Sequence, residues 1–83
     1  MTFGERLKRE RQKRGYSARQ LARLAGVPPA TIVKVESGER EYPSLPAALK
    51  IAQALGVTLD YLAGAYEEEE SQHMSAAVAL VGA

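Results

Sequence analysis

"SARQLARLAGVPPATIVKVESG", residues 17–38, decides how this 83-residue chain folds. Ser17 followed three residues later by Gln20 is a capping-box pattern, each side chain suited to a backbone N–H at the start of a helix. A helix is therefore expected from Ala18, with Leu21, Leu24 and Ala25 as its apolar face and Gly26 as its stop. Pro29 fits a first helical position, where its missing N–H costs nothing. Ile32, Val35 and Glu36 then share one face of a second helix, Pro29 to Ser37. The β-branched residues Thr31, Ile32, Val33 and Val35 would also suit a strand, but Gly38 directly after Ser37 and the tight spacing favour helix. Two helices joined by so brief a turn must cross steeply. Such a crossing needs a small residue where the backbones approach, here Ala22, and a turn residue that tolerates left-handed φ, here Gly26. It also needs apolar anchors, which Leu21, Ala25 and Val27 supply before the turn and Ile32 and Val35 after it.

Working outward, "FGERLKRERQKR" (3–14) has Phe3 and Leu7 stacked at i, i+4 amid charge. That pattern is a surface helix touching the core along a narrow stripe, ended by Gly15. Its cations Arg6, Lys8, Arg9, Lys13 and Arg14 read as a solvated face. "GEREYP" (38–43) is a loop. "SLPAALKIAQALG" (44–56) gives a fourth helix capped by Ser44, with Leu45, Leu49, Ala52 and Leu55 inward. "TLDYLAG" (58–64) gives a short fifth, capped by Thr58, contributing Leu59 and Leu62. The fold class is all-α: five short helices, short loops and crossed packing.

Size and composition narrow the function classes. Eighty-three residues make a single domain with a tail, and a chain of this size buries only roughly 60% of the surface its unfolded form exposes. No cysteine is present, so no disulfide, thiolate metal site or thiol nucleophile is available. The charged N-terminus does not resemble a signal peptide. The apolar "AAVALVGA" near the C-terminus is far short of the ~20 residues a spanning helix needs. The reading is a cytoplasmic protein with no membrane partner. The net charge of +1 conceals an asymmetry: residues 1–41 carry ten Lys/Arg and five Glu, whereas residues 42–83 carry one Lys and five acids. A basic half attracts a polyanion even when the whole is near neutral, because screening limits each charge to ~8–10 Å.

At "GYSARQLARLAGV", "TIVKVESGER" and "PSLPAALKIAQALGVTLDYL" the chain resembles the lambda-repressor/Cro-like (XRE-type) helix-turn-helix domain. The resemblance covers about residues 3 to 64. It implies a five-helix bundle whose helices 2 and 3 form the helix-turn-helix, with helix 3 in the major groove of double-stranded DNA. It also implies a transcriptional regulator that binds inverted repeats as a homodimer. By position, Ala18 lies where many members place a glutamine bonded to a phosphate, beside Ser17 and Arg19. Pro29, Ala30, Val33 and Lys34 occupy base-facing positions. Thr31 lies where a hydroxyl often meets the backbone, and Arg40 and Tyr42 lie in a loop that follows the phosphates. Glu36 corresponds to an acid that pairs with an arginine of helix 1, here Arg11, as a structural ion pair.

The departures from the family matter as much. Ala18 cannot make the phosphate bond, and neither Pro29 nor Ala30 can make a bidentate pair with a base. Lys34 is left as the strong polar reader, with Val33, Ala30 and Thr31 able to touch thymine methyls. Losing two polar positions predicts modest sequence selectivity without loss of binding, since phosphate contacts supply most of the affinity. The N–H groups at the start of helix 2, opened by Ser17, remain available to a phosphate. Tyr42 reads more as loop packing than as a DNA contact.

Two rival readings stay open. One is a protein-interaction module of the same fold, to which bridging coactivators are similar and which the apolar face of helix 3 favours. The other is an antitoxin or restriction-controller repressor with a protein partner. Catalysis is not expected: no nucleophile–base–orienter set and no phosphate-binding glycine loop occurs, and His73 is a lone histidine in a polar stretch. No metal and no cofactor are called for, because the four consecutive glutamates at 67–70 do not converge on one point. The division expected is 1–65 as the binding domain and 66–83 as an acidic then apolar tail. That tail reads as disordered, as a dimer contact through Val78, Leu80 and Val81, or as a surface for a partner protein. Tyr61 and Tyr66 are candidate interface aromatics.

Overall fold

The computed structural model describes residues 1–65, and within them the chain forms five α-helices. They are α1 (Phe3–Lys13), α2 (Ala18–Ala25), α3 (Pro29–Ser37), α4 (Leu45–Leu55) and α5 (Leu59–Ala63). Local chemistry sets most boundaries. The Ser17–Gln20 capping box closes in both directions, with Gln20 N–H donating to Ser17 Oγ at 3.0 Å and Ser17 N–H to Gln20 Oε1 at 2.7 Å. A second box, Thr2 with Glu5, starts α1. Ser44 and Thr58 cap α4 and α5 through their hydroxyls.

The turn between α2 and α3 is Gly26, Val27 and Pro28 alone. Gly26 sits at φ 73°, ψ 37°, a left-handed conformation that costs glycine little. Its N–H and that of Val27 both return to the Ala22 carbonyl, at 2.8 and 3.0 Å. This reversal closes α2 and turns the buried Val27 back onto it. Pro28 and Pro29 then launch α3 without needing a side-chain cap.

The core draws on every helix. Leu7, Leu21, Ile32, Ile51 and Leu62 are fully enclosed, with Phe3, Ala22, Val35, Ala48, Ala52 and Leu55 around them. α2 packs on α3 and α4, α1 on α3 and α5, and α4 on α5. One close helix approach involves Gly4 of α1. A Cβ built there would lie 2.1 Å from the Val35 carbonyl oxygen, so the backbone of α3 rests where a side chain would otherwise be. Ala22 is buried as the turn requires, but Gly4 is the residue that lets α1 and α3 meet.

Four expectations need correction. Leu24 is 58% exposed, and the inward stripe of α2 is Leu21, Ala22 and Ala25. On α4, Leu45 and Leu49 face outward at 65% and 44% exposure, while Ala48, Ile51, Ala52 and Leu55 face the core. The helix is therefore rotated from the leucine-based stripe, and its small Ala48 and Ala52 let it sit close to its neighbours. The cations of α1 are not simply a solvated face. Arg6 is buried and donates to the Met1 carbonyl at 2.6 Å, and Arg14 donates to the Glu10 carboxylate at 2.8 Å. Tyr61, finally, is not a free interface aromatic. Its hydroxyl donates to Glu10 Oε2 at 3.0 Å and accepts from Arg9, tying α5 to α1.

Candidate nucleic-acid interface

α3 is held from behind and open in front. Behind, Ile32 and Val35 are buried in the core, and Glu36 receives a two-bond ion pair from Arg11. Arg11 Nε meets Glu36 Oε2 at 2.8 Å and Nη2 meets Oε1 at 2.9 Å, while Nη1 donates to the Tyr16 carbonyl at 2.8 Å. One guanidinium thus links α1, the turn before α2, and α3. The Glu36 hydrogen bond outweighs the cost of burial and raises the Arg11 pKa further, so this cation is permanent.

In front, Ala30, Val33, Lys34 and Ser37 recur at i, i+3, i+4 and i+7, so they form one stripe, and all are exposed. Pro29 is exposed at its start, while Thr31 is half-buried at its edge. The stripe offers methyl groups, one ammonium and one hydroxyl. That hydroxyl, Ser37 Oγ, already donates to the Lys34 carbonyl at 3.1 Å and accepts from Glu39 N–H at 3.3 Å. The Arg40 N–H returns to the same Lys34 carbonyl at 3.0 Å, folding the following loop back on the end of α3.

The flanks carry charge. At the start of α2, Ser17 and Arg19 are exposed and Ala18 is half-buried. The cap occupies the Ser17 and Gln20 N–H groups. Those of Ala18 and Arg19, in the first turn, have no acceptor within the helix. Arg23, one turn beyond Arg19, is exposed too; the i, i+4 spacing of the two arginines was the available sequence signal for it. Arg40 is exposed on the loop after α3, between the exposed carboxylates Glu39 and Glu41. Tyr42 is 55% exposed, yet its ring stands edge-on to Phe3 with centroids 6.1 Å apart, which anchors the loop to α1.

The arrangement is a helix held from behind by Arg11 and exposed in front, beside a second helix whose Ala18 and Arg19 N–H groups lack an intrahelical acceptor. A family model described as helix-turn-helix matches residues 7–62, a span that takes in the whole arrangement. The chain belongs to that family. Among helix-turn-helix relatives, the HTH-type transcriptional repressor RghR of Bacillus subtilis (strain 168) is 37% identical over 70 residues, covering 81% of this chain and 52% of RghR. The chain spans about half the length of the curated relatives it matches. Among solved structures, the N-terminal DNA binding domain of SinR from Bacillus subtilis superposes with a TM-score of 0.72 at 30% identity, over 80% of this chain and 93% of that one. A crystal structure of SinR, the master regulator for biofilm formation, in complex with DNA gives 0.70 at 31% identity, over 74% and 97%.

The residues expected from the sequence share one continuous side of α2, α3 and the following loop only in part. Pro29, Ala30, Val33 and Lys34 share the exposed side of α3, whereas Thr31 is partly covered and Tyr42 is committed to Phe3. Among the described residues no cluster of three or more His, Asp or Glu could hold a metal ion, and no helix is long and apolar enough to cross a membrane.

Proposed function

We propose that this chain is the DNA-binding part of a transcriptional repressor, with α3 in the major groove of double-stranded DNA. The observation that carries the reading is the outward stripe of α3, clamped from behind by Arg11–Glu36 and centred on the exposed Lys34. The likeness to SinR, solved in complex with DNA, supports the same orientation. In this reading Lys34 donates to a purine acceptor at a base edge. Arg19, Arg40 and the free N–H groups of Ala18 and Arg19 contact phosphates and fix the register. Thr31, half-covered, adds a hydroxyl at the margin, and Ser17 serves by opening α2. Tyr42 holds the loop in place and makes no DNA contact.

The working species is a homodimer on an inverted repeat in the bacterial cytoplasm. Residues 1–65 form the reading domain and residues 66–83, outside the described residues, supply the dimer contact. Exposed Leu45 and Leu49 on α4 favour some protein contact beyond the reading helix, and they keep alive the second reading of a protein-interaction module. Removing residues 67–83 moves the sedimentation mass to that of a monomer if the tail dimerises the chain; an unchanged mass rejects that assignment.

Binding itself is tested by titrating a labelled duplex pool with the full chain at several salt concentrations. The reading expects affinity that falls steeply with salt, log–log linear with a slope near −0.9 per phosphate contact. An absence of binding at low salt rejects it in favour of the protein module.

A further inference from the structure

Resting on that reading, we infer that the exposed side of α3 is a reader of pyrimidine 5-methyl groups, accepting thymine or 5-methylcytosine and discriminating against uracil and unmodified cytosine. The inference starts from what the stripe lacks. Pro29, Ala30 and Val33 are all exposed and carry no hydrogen-bonding side chain. Val33, 54% exposed, is the largest apolar side chain on α3 turned to solvent, while Ile32 and Val35 are buried. Ser37 has its hydroxyl tied to the backbone of its own helix. Lys34 is therefore the single side chain of this stripe with a free strong donor, and it stands directly beside Val33.

A surface of this kind cannot discriminate bases by a donor and acceptor code beyond one contact. It can discriminate by shape and hydrophobicity. The 5-methyl group is the one apolar feature that a base pair presents in the major groove, and among unmodified bases thymine alone carries it. Cytosine acquires the same group at the same ring position when methylated. Branched Val33 can enclose such a methyl between its two Cγ atoms, with Ala30 one turn earlier covering the next step. Neither loses rotamer freedom to do so, since Val is stiff at χ1 in a helix and Ala has none to lose. Lys34 beside them favours an adjacent purine acceptor, so the preferred step pairs a methylated pyrimidine with a neighbouring guanine or adenine acceptor.

Rigidity makes the discrimination usable. The Gly4 approach and the Arg11–Glu36 pair fix α3 from behind, so Val33 cannot shift to fill the gap that a missing methyl leaves. Burying one methyl-sized group is worth about a fourfold change in affinity. The effect is small per base and additive over a site read by two copies.

The experiment uses the full chain and a duplex enriched from a random pool, remade with deoxyuridine at each thymine in turn, and separately with 5-methylcytosine or cytosine at the same positions. We expect about fourfold weaker binding for uracil at contacted positions. Cytosine, which also changes the base pair, is expected to bind more weakly still, with a partial recovery of the same size when it is methylated. Val33→Ala, an exposed change that keeps the helix, is expected to shrink the ratio of thymine to uracil affinity toward one, whatever it does to overall duplex affinity. Equal binding of the thymine and uracil duplexes overturns the inference but leaves the DNA-binding reading intact. A uracil penalty that persists undiminished in Val33→Ala also overturns it, since the effect then belongs to the DNA. Failure to bind any duplex rejects both.

Discussion

Arg11 of α1 and Glu36 of α3 are joined by two parallel hydrogen bonds of 2.8 and 2.9 Å, and both side chains are largely shielded, at 14% and 10% exposure. The same guanidinium holds the Tyr16 carbonyl at 2.8 Å. Removing one partner leaves a shielded charge and a carbonyl without their bonds. Arg11→Ala is expected to cost about 2–4 kcal/mol in urea unfolding, toward the lower end of what a buried pair costs because some water reaches it. Arg11→Lys keeps the charge but not the fork, so its stability falls between the two. A stability equal to wild type in Arg11→Ala would mean that the pair is ornamental.

Gly4 makes a sharper steric claim. A methyl at this position would sit 2.1 Å from the Val35 carbonyl oxygen, against backbone that has no rotamer to change. Gly4→Ala is therefore expected to destabilise the fold by at least about 1–3 kcal/mol, despite the higher helix propensity of alanine. It is also expected to weaken DNA binding by displacing α3, which a thermal melt and a duplex titration read separately.

Glu10 gives the fold a pH dependence. Burial acts to raise its pKa, but hydrogen bonds from Arg14 and Tyr61, with Lys13 nearby, outweigh burial and hold the carboxyl below its ordinary value of 4.5. A depressed folded pKa means that the unfolded chain takes up the proton first on acidification. The stabilisation is therefore complete above the ordinary carboxylate range and is lost as pH falls through the folded value. Glu5, whose pKa is lowered by hydrogen bonds from Thr2, contributes in the same direction at the start of α1. Glu10→Gln is expected to lower the melting temperature at neutral pH and to flatten its decline in acid. Parallel melting curves for the two proteins across that range would contradict the assignment.

Lys34 is exposed and supports no part of the core. Lys34→Ala is expected to leave the melting temperature unchanged while weakening binding to an enriched duplex roughly tenfold or more, within the range of one good base contact. Binding to random duplex is expected to fall much less. Equal losses on both would make Lys34 a phosphate contact.

Much of this was legible in the sequence wherever chemistry is local. The Ser17–Gln20 box, the left-handed Gly26 and the Pro29 start need only neighbours a few residues away, and they fix the turn between α2 and α3. Once Ile32 and Val35 face inward, the opposite side of α3 follows from helical geometry. The rotation of α4 did not follow. Leu45, Ala48, Leu49, Ile51, Ala52 and Leu55 leave the helix apolar on most sides, and choosing the larger leucines placed the wrong pair inward. The Glu10–Tyr61 clasp joins residues 51 apart, and no periodicity within α1 announces it. Gly4 did leave a trace. A glycine inside a helix costs about 1 kcal/mol relative to alanine, so its presence in α1 asked for a close neighbour.

In the proposed function α3 reads sequence in the major groove as one of two copies. Selection of the full chain against a random duplex library, sequenced after several rounds at near-physiological salt, tests it most directly. Enrichment of an inverted repeat whose half-sites lie about one turn, ~34–36 Å, apart is the expected result. Retention of DNA without any enriched sequence would contradict base reading by α3, and no retained DNA would contradict the interface itself.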